Sequence, residues 1–149
     1  MSKMDKSKFQ LEFEMRSVPV ALLWNYISSI NGLTEWFADE VSISGKTYTF
    51  SWDGQSQTAQ LLSMRTEVSI RFRWSDDNSR CYFEMKISVN ELTDETILTV
   101  TDFASEDEMD DAKELWTAQV DTLRRALGCL ASHYPRSCRP IGEPALKLL

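Results

Sequence analysis

Histidine and cysteine are scarce in this sequence, which holds one histidine, His133, and three cysteines, Cys81, Cys129 and Cys138. A Ser-His-Asp or Cys-His arrangement needs a base that titrates near neutral pH, and His133 lies beyond the last predicted helix, so no catalytic residue is predicted. The cysteines are odd in number and lack the spacing of metal ligands, so neither a metal site nor a disulfide framework is expected. Unpaired cysteines suit a reducing compartment, which favours a cytoplasmic location.

Basic residues and long apolar runs are also in short supply. Lysine and arginine total 16 against 23 aspartates and glutamates, for a formal net charge of −7 at pH 7. Such a chain repels phosphate backbones, so nucleic acid is not expected as a partner. No run of about 18 apolar residues is present, and the N-terminus has no apolar stretch of the signal-peptide type, so membrane insertion is not predicted. No cofactor is expected.

Aromatic residues are abundant by contrast, with five tryptophans, seven phenylalanines and four tyrosines in 149 residues. A chain of this length forms one domain with a core, and these rings supply either a thick core or the wall of an aromatic-lined cavity. The sequence does not distinguish these two uses.

Apolar and polar residues alternate from Phe9 onward, which predicts a first strand with one dry face. Ser17 then offers a capping hydroxyl and Pro19 suits a first helical turn, so a short helix follows. The pair Asn31-Gly32 is interpreted as a break before a second short helix.

Alternation returns after residue 38 in six further segments joined by short polar connectors, which is typical of hairpins. The apolar positions are Val41 and Ile43, then Tyr48, Phe50 and Trp52, then Ala59 to Met64, then Ile70, Phe72 and Trp74, then Cys81, Phe83, Met85 and Ile87, then Leu98 and Val100. The predicted class is therefore α+β, with a curved antiparallel sheet of six to seven strands.

A long final helix is predicted from Glu106 to Leu127, opened by Ser105 and closed by Gly128. Acidic residues fill its first turns, where the helix dipole stabilises them, so they need no metal ion. Its apolar stripe is Met109, Ala112, Trp116, Val120, Leu123 and Leu127. The domain is predicted to span residues 1–128. Residues 129–149 form a tail, for which covering the cavity, forming a homodimer and disorder are the alternatives.

This order of elements resembles the helix-grip fold of the START-like, or SRPBCC, superfamily, which includes birch-pollen-allergen-like proteins, START lipid-binding domains and polyketide cyclases. Four motifs resemble the branch named after the activator of the heat-shock ATPase chaperone: Val18-Pro19 with Leu23-Trp24, Glu35-Trp36-Phe37, the run from Ile97 to Phe103, and Leu115-Trp116. The resemblance covers roughly residues 8–128. It implies a sheet wrapped around the long helix, with a cavity between them for an apolar or amphipathic small molecule.

Asp102 is the polar residue of most interest, because it shares strand parity with Leu98 and Val100 on the predicted dry face. Its carboxylate is therefore predicted at the end of the concave surface, beside the start of the long helix. One alternative is a buried carboxylate with a partner or a raised pKa, and the other is a solvated residue that helps to cap the helix.

The preferred hypothesis is a non-catalytic module that binds a small hydrophobic or amphipathic molecule between the sheet and the last helix. A protein-interaction domain related to chaperone ATPase regulation is one alternative, and a cyclase-like or hydratase-like enzyme that uses cavity carboxylates and bound water is another. The predicted ligand-binding residues are Trp36, Phe50, Trp52, Phe72, Trp74, Phe83, Leu98, Val100, Asp102, Trp116 and Val120.

Overall fold

The computed structural model describes residues 5–77 and 80–132, with side chains described as far as residue 128. Its elements follow the predicted order of a strand, two short helices, a run of strands and a long helix. They are β1 (Ser7–Glu14), α1 (Val20–Ser28), α2 (Ile30–Trp36), β2 (Glu40–Ser44), β3 (Thr47–Trp52), β4 (Gln55–Arg65), β5 (Ser69–Trp74), β6 (Phe83–Val89), β7 (Thr96–Ala104), a 3-10 turn (Glu106–Glu108) and α3 (Met109–Ser132).

The seven strands form one antiparallel sheet in the order β1-β7-β6-β5-β4-β3-β2. Strands β2 to β7 make a meander of hairpins, as predicted, and β1 closes on the last strand, so that Phe9 lies opposite Asp102 and Leu11 opposite Val100. The tight hairpin between β3 and β4 places Asp53 and Gly54 at φ 52° and 85°, the left-handed conformation that two-residue hairpin turns require. The predicted α+β helix-grip class is confirmed.

The core lies between the concave face of the sheet and the helices. From α3 it receives Trp116, Val120, Leu123 and Leu127, all buried, which is the apolar stripe expected from their spacing. Met109 and Ala112 of the same stripe are partly buried against it. No helix in the described part of the chain is both long and apolar enough to cross a membrane.

The predicted break at Asn31-Gly32 is wrong, because both residues lie inside α2. The chain instead turns at Ser29, whose extended backbone separates the two helices. Ser29 also caps α2, since its hydroxyl accepts a hydrogen bond from the Gly32 N–H at 2.9 Å. Pro19 occupies the position before α1 and that helix has no side-chain cap, so Ser17 does not cap it.

The last helix differs from the prediction at both ends. Ser105 precedes a 3-10 turn and makes no side-chain capping hydrogen bond, and the α-helical part begins at Met109. The helix then passes through Gly128 and is described as far as Ser132. Gly128 does not adopt the left-handed φ that ends helices. Apart from the backbone of the last helical turn, the predicted tail lies outside the described residues, as do the homodimer contact predicted there and His133.

Candidate functional site

Most of the predicted ligand-binding residues are packed core. Eight of them have side chains that are at most 6% exposed: Trp36, Phe50, Phe72, Phe83, Leu98, Val100, Trp116 and Val120. The aromatic rings among them contact one another directly, with the Phe72 and Phe83 centroids 5.1 Å apart and those of Phe50 and Phe72 5.9 Å apart. These residues therefore form the aromatic core that the sequence offered as the alternative to a cavity wall.

Phe37 lies in the space between the sheet and α3, at the end where Trp52 lies 5.7 Å away between ring centroids. Its ring centroid lies 5.0 Å from that of Phe50, 6.1 Å from that of Phe83 and 5.9 Å from that of Trp116. Its carbonyl oxygen accepts hydrogen bonds from Trp52 Nε1 at 2.7 Å and from Gln119 Nε2 at 3.2 Å. The site prediction omitted Phe37, although the motif Glu35-Trp36-Phe37 had already marked it.

The remaining predicted residues, Trp52, Trp74 and Asp102, are half-buried and lie towards one end of the sheet. They stand at or near the C-terminal ends of β3, β5 and β7, and these alternate strands run in the same direction. The Trp52 and Trp74 rings are 6.1 Å apart. We call Trp52, Trp74, Asp102 and Trp116 the mouth.

Ring contacts connect the two sides of the mouth. The Trp74 centroid lies 4.9 Å from that of Phe83, and Phe83 lies 6.1 Å from Trp116. Trp116 then donates a hydrogen bond from its Nε1 to Asp102 Oδ2 at 2.8 Å. The half-exposed tryptophans and the carboxylate are thus joined through buried rings.

Asp102 faces α3 and does not cap the turn after β7. Its Oδ2 accepts from Trp116 Nε1, and its Oδ1 accepts from the backbone N–H of Phe103 at 2.7 Å. Burial raises the pKa of the Asp102 carboxyl from 3.8 to about 6, and the two hydrogen bonds offset only part of this effect. Half the carboxyl groups are therefore protonated near pH 6.

Three further side chains gather around Asp102 from distant parts of the sequence. Lys6 Nζ, just before β1, forms an ion pair with Asp77 Oδ1 at 3.1 Å. Cys81, just before β6, is buried, and burial together with the nearby Asp77 charge raises the pKa of its thiol. The sequence did not suggest this grouping, because Lys6 and Asp77 are 71 positions apart.

The mouth is not a metal site, and it is separate from a groove on the protein surface. Within residues 5–77 and 80–132, no group of three or more His, Cys, Asp or Glu side chains is placed to hold a metal ion. An open groove of about 430 Å³ runs along the edge strand β2, lined mostly by polar residues: Thr34, Asp39, Glu40, Val41, Ser42, Thr49 and Ser51. It contains none of the predicted ligand-binding residues.

The raised pKa of Asp102 predicts a pH-dependent difference in stability between the protein and its Asp102→Asn variant. The native carboxyl keeps its proton up to about pH 6, whereas the unfolded chain loses it near pH 3.8. The native state therefore binds more protons between these values, and the contribution of Asp102 to the free energy of unfolding falls as the pH rises through this window. Below pH 3.8 the carboxyl is protonated in both states and its burial costs no ionisation energy. Above pH 6 the full cost of a buried, ionised carboxylate lowers the free energy of unfolding.

Urea unfolding at pH 4 and pH 7 measures this effect. Relative to the wild type, Asp102→Asn is expected to gain about 2–3 kcal/mol in unfolding free energy between the two pH values. The exposed-site variant Asp107→Asn corrects for the lost charge. An unchanged difference between the Asp102→Asn and wild-type proteins across this range contradicts the prediction.

Comparison with known proteins gives a family match over most of the chain. Residues 2–129 match the family described as a START-like superfamily domain. No curated protein matches the chain. Among solved structures, a structural-genomics target from Bacteroides fragilis, determined by solution NMR, is 44% identical with a TM-score of 0.60, and the match covers 83% of this chain and 92% of that one.

Two structures of lower sequence identity share the fold. The Aha1 dimer from Colwellia psychrerythraea is 13% identical with a TM-score of 0.69, and the match covers 81% of this chain and 96% of that one. DynU16, from the dynemicin biosynthetic locus, is 20% identical with a TM-score of 0.69, and the match covers 80% of this chain and 46% of that one. At these identities the likeness concerns the fold alone.

Proposed function

Because the chain belongs to the START-like superfamily, we propose that it is a non-catalytic binding domain for a small hydrophobic or amphipathic molecule, held at the mouth. The observation that carries this proposal is the partial exposure of Trp52, Trp74 and Asp102 at one end of a closed aromatic core. The protein is proposed to act in the cytoplasm, where its buried Cys81 stays reduced.

The mouth is a better position for a ligand than the interior of the space under α3. A ligand in the interior has to displace Phe37, which is 4% exposed and contacts rings on both the sheet and α3. Emptying such a position costs about 3–5 kcal/mol. At the mouth, an apolar ligand covers indole surface that is already in contact with water, and this burial contributes about 25 cal/mol per Å².

Trp74→Ala is expected to weaken binding of a hydrophobic probe by about tenfold, because an indole contact contributes on the order of 1–2 kcal/mol. The measurement is a fluorescence titration with the neutral dye Nile red, together with native mass spectrometry of the protein as purified. Trp24→Ala is the matched control, since Trp24 is also a partly buried tryptophan but lies on α1. We expect it to change the affinity less than twofold.

Two results would count against the proposed function. One is that the intact protein carries no small molecule, binds no Nile red and shows no binding of other apolar probes. The other is that Trp24→Ala weakens binding as much as Trp74→Ala does, which would place the probe elsewhere or reflect a general loss of structure. Far-UV circular dichroism of both variants separates these two explanations.

A further inference from the structure

The carboxylate of Asp102 has no positively charged partner within the described residues. Its two hydrogen-bond donors, Trp116 Nε1 and the Phe103 N–H, are both neutral. Lys6 interacts electrostatically with Asp102 but directs its ammonium group to Asp77 at 3.1 Å. An ionised carboxylate offers about four acceptor positions, so Asp102 keeps acceptor capacity after these two bonds are made.

We propose that the mouth selects ligands that carry a basic nitrogen on an apolar or aromatic body, with the ammonium group on Asp102 and the body reaching the indole ring of Trp74. This ligand class rests on the binding function proposed above. A charged N–H donor gives a carboxylate a stronger hydrogen bond than the neutral donors it now has. A partly buried carboxylate is also costly without a counter-ion, and a bound ammonium group supplies one.

The indole rings at the mouth suit the same ligand. Cations are attracted to the faces of tryptophan rings, and an aromatic body stacks on them. Trp52 and Trp74 are half-buried with a ring separation of 6.1 Å, so each presents part of its surface to an incoming molecule. The carboxylate thus supplies the charge contact and the indoles supply the apolar contact.

The charges around this end of the sheet also favour a cation. Five acidic residues follow within nine positions of Asp102, in the 3-10 turn and the first turn of α3, and all five are exposed: Glu106, Asp107, Glu108, Asp110 and Asp111. Four basic side chains also lie near this end of the sheet, and two of them are beside Cys81. Arg73 Nε donates a hydrogen bond to the Cys81 carbonyl at 3.0 Å, and the Arg80 charge acts on the Cys81 thiol. Lys6 is paired with Asp77, and Lys113 of α3 lies over the Phe9 ring at 5.9 Å. A field of this sign raises the local concentration of cationic ligands.

Isothermal titration with tryptamine and tryptophol tests this ligand class, because the two probes share an indole-ethyl body and differ in an ammonium against a hydroxyl group. At pH 7.5 tryptamine is expected to bind about tenfold more tightly. At pH 5 Asp102 is mostly protonated, so the preference is expected to fall to about twofold or less. Lys6 and Cys81 stay protonated over this range, because the pKa values of both groups are raised, and Asp77 remains beside Lys6.

Asp102→Asn is expected to remove the preference for tryptamine at pH 7.5 while tryptophol binds as before. Asp107→Asn is the matched control, since it removes the same charge from an exposed position and is expected to keep most of the preference. Equal binding of the two probes to the wild type overturns the ligand class alone, as does a preference that survives in Asp102→Asn. Failure of both probes and of Nile red overturns the binding function as well.

Discussion

Gly32→Ala is expected to destabilise the protein by more than about 3 kcal/mol, or to prevent folding, because α1 and α2 approach each other too closely for a side chain at this position. A Cβ atom on Gly32 would lie 2.5 Å from Tyr26 Cα and closer still to the Asn25 carbonyl oxygen. Both atoms belong to the backbone of α1, which cannot move aside as a flexible side chain can. Urea unfolding followed by tryptophan fluorescence measures the loss.

Gly128→Ala is the control for this prediction, since it makes the same chemical change inside α3. Among the residues that the structure describes, a Cβ atom on Gly128 meets nothing within 4 Å. Alanine loses less backbone entropy than glycine on helix formation, so a gain of about 0.5–1 kcal/mol is expected. Equal stability of Gly32→Ala and the wild type would mean that the two short helices do not pack as described.

Phe37→Ala is expected to lower the free energy of unfolding by about 3–5 kcal/mol, because it empties the centre of the aromatic core. The ring is 4% exposed and contacts rings of α2, the sheet and α3, so no single neighbour can close the space. Urea unfolding followed by tryptophan fluorescence measures the loss.

The convex-face variant Phe103→Ala provides the comparison. Phe103 is half-buried and packs edge-on against Tyr82 at 5.1 Å between ring centroids. Its loss is expected to cost about 1 kcal/mol, mostly from this ring pair. If Phe37→Ala costs no more than Phe103→Ala in urea unfolding, the space under α3 is not filled by the Phe37 ring.

The regular elements were predictable because each has a local signal. The six later strands follow from alternation, since one face of each strand meets the core. The stripe Trp116, Val120 and Leu123 predicts the buried side of α3, because residues three or four apart share a helix face. The same parity rule correctly placed Asp102 on the concave side of β7.

Helix boundaries were less predictable where a residue has two uses. Gly32 resembled a break, but it allows α1 and α2 to approach closely and lies within α2. Gly128 resembled a helix end, but no left-handed φ occurs there and α3 continues to Ser132. Local sequence does not reveal whether a glycine is present for its backbone angles or for its missing side chain.

The sequence by itself determined which residues are apolar on which face of each element, and therefore the sheet, the stripe of α3 and the family. Only the tertiary structure decided that Phe37 fills the space under α3, and that Trp52, Trp74 and Asp102 are left half-exposed at one end of it. It also decided that Lys6, Asp77 and Cys81 come together around Asp102. The reason is physical: periodicity reports which way a side chain points, whereas its neighbours depend on contacts between residues far apart in the chain.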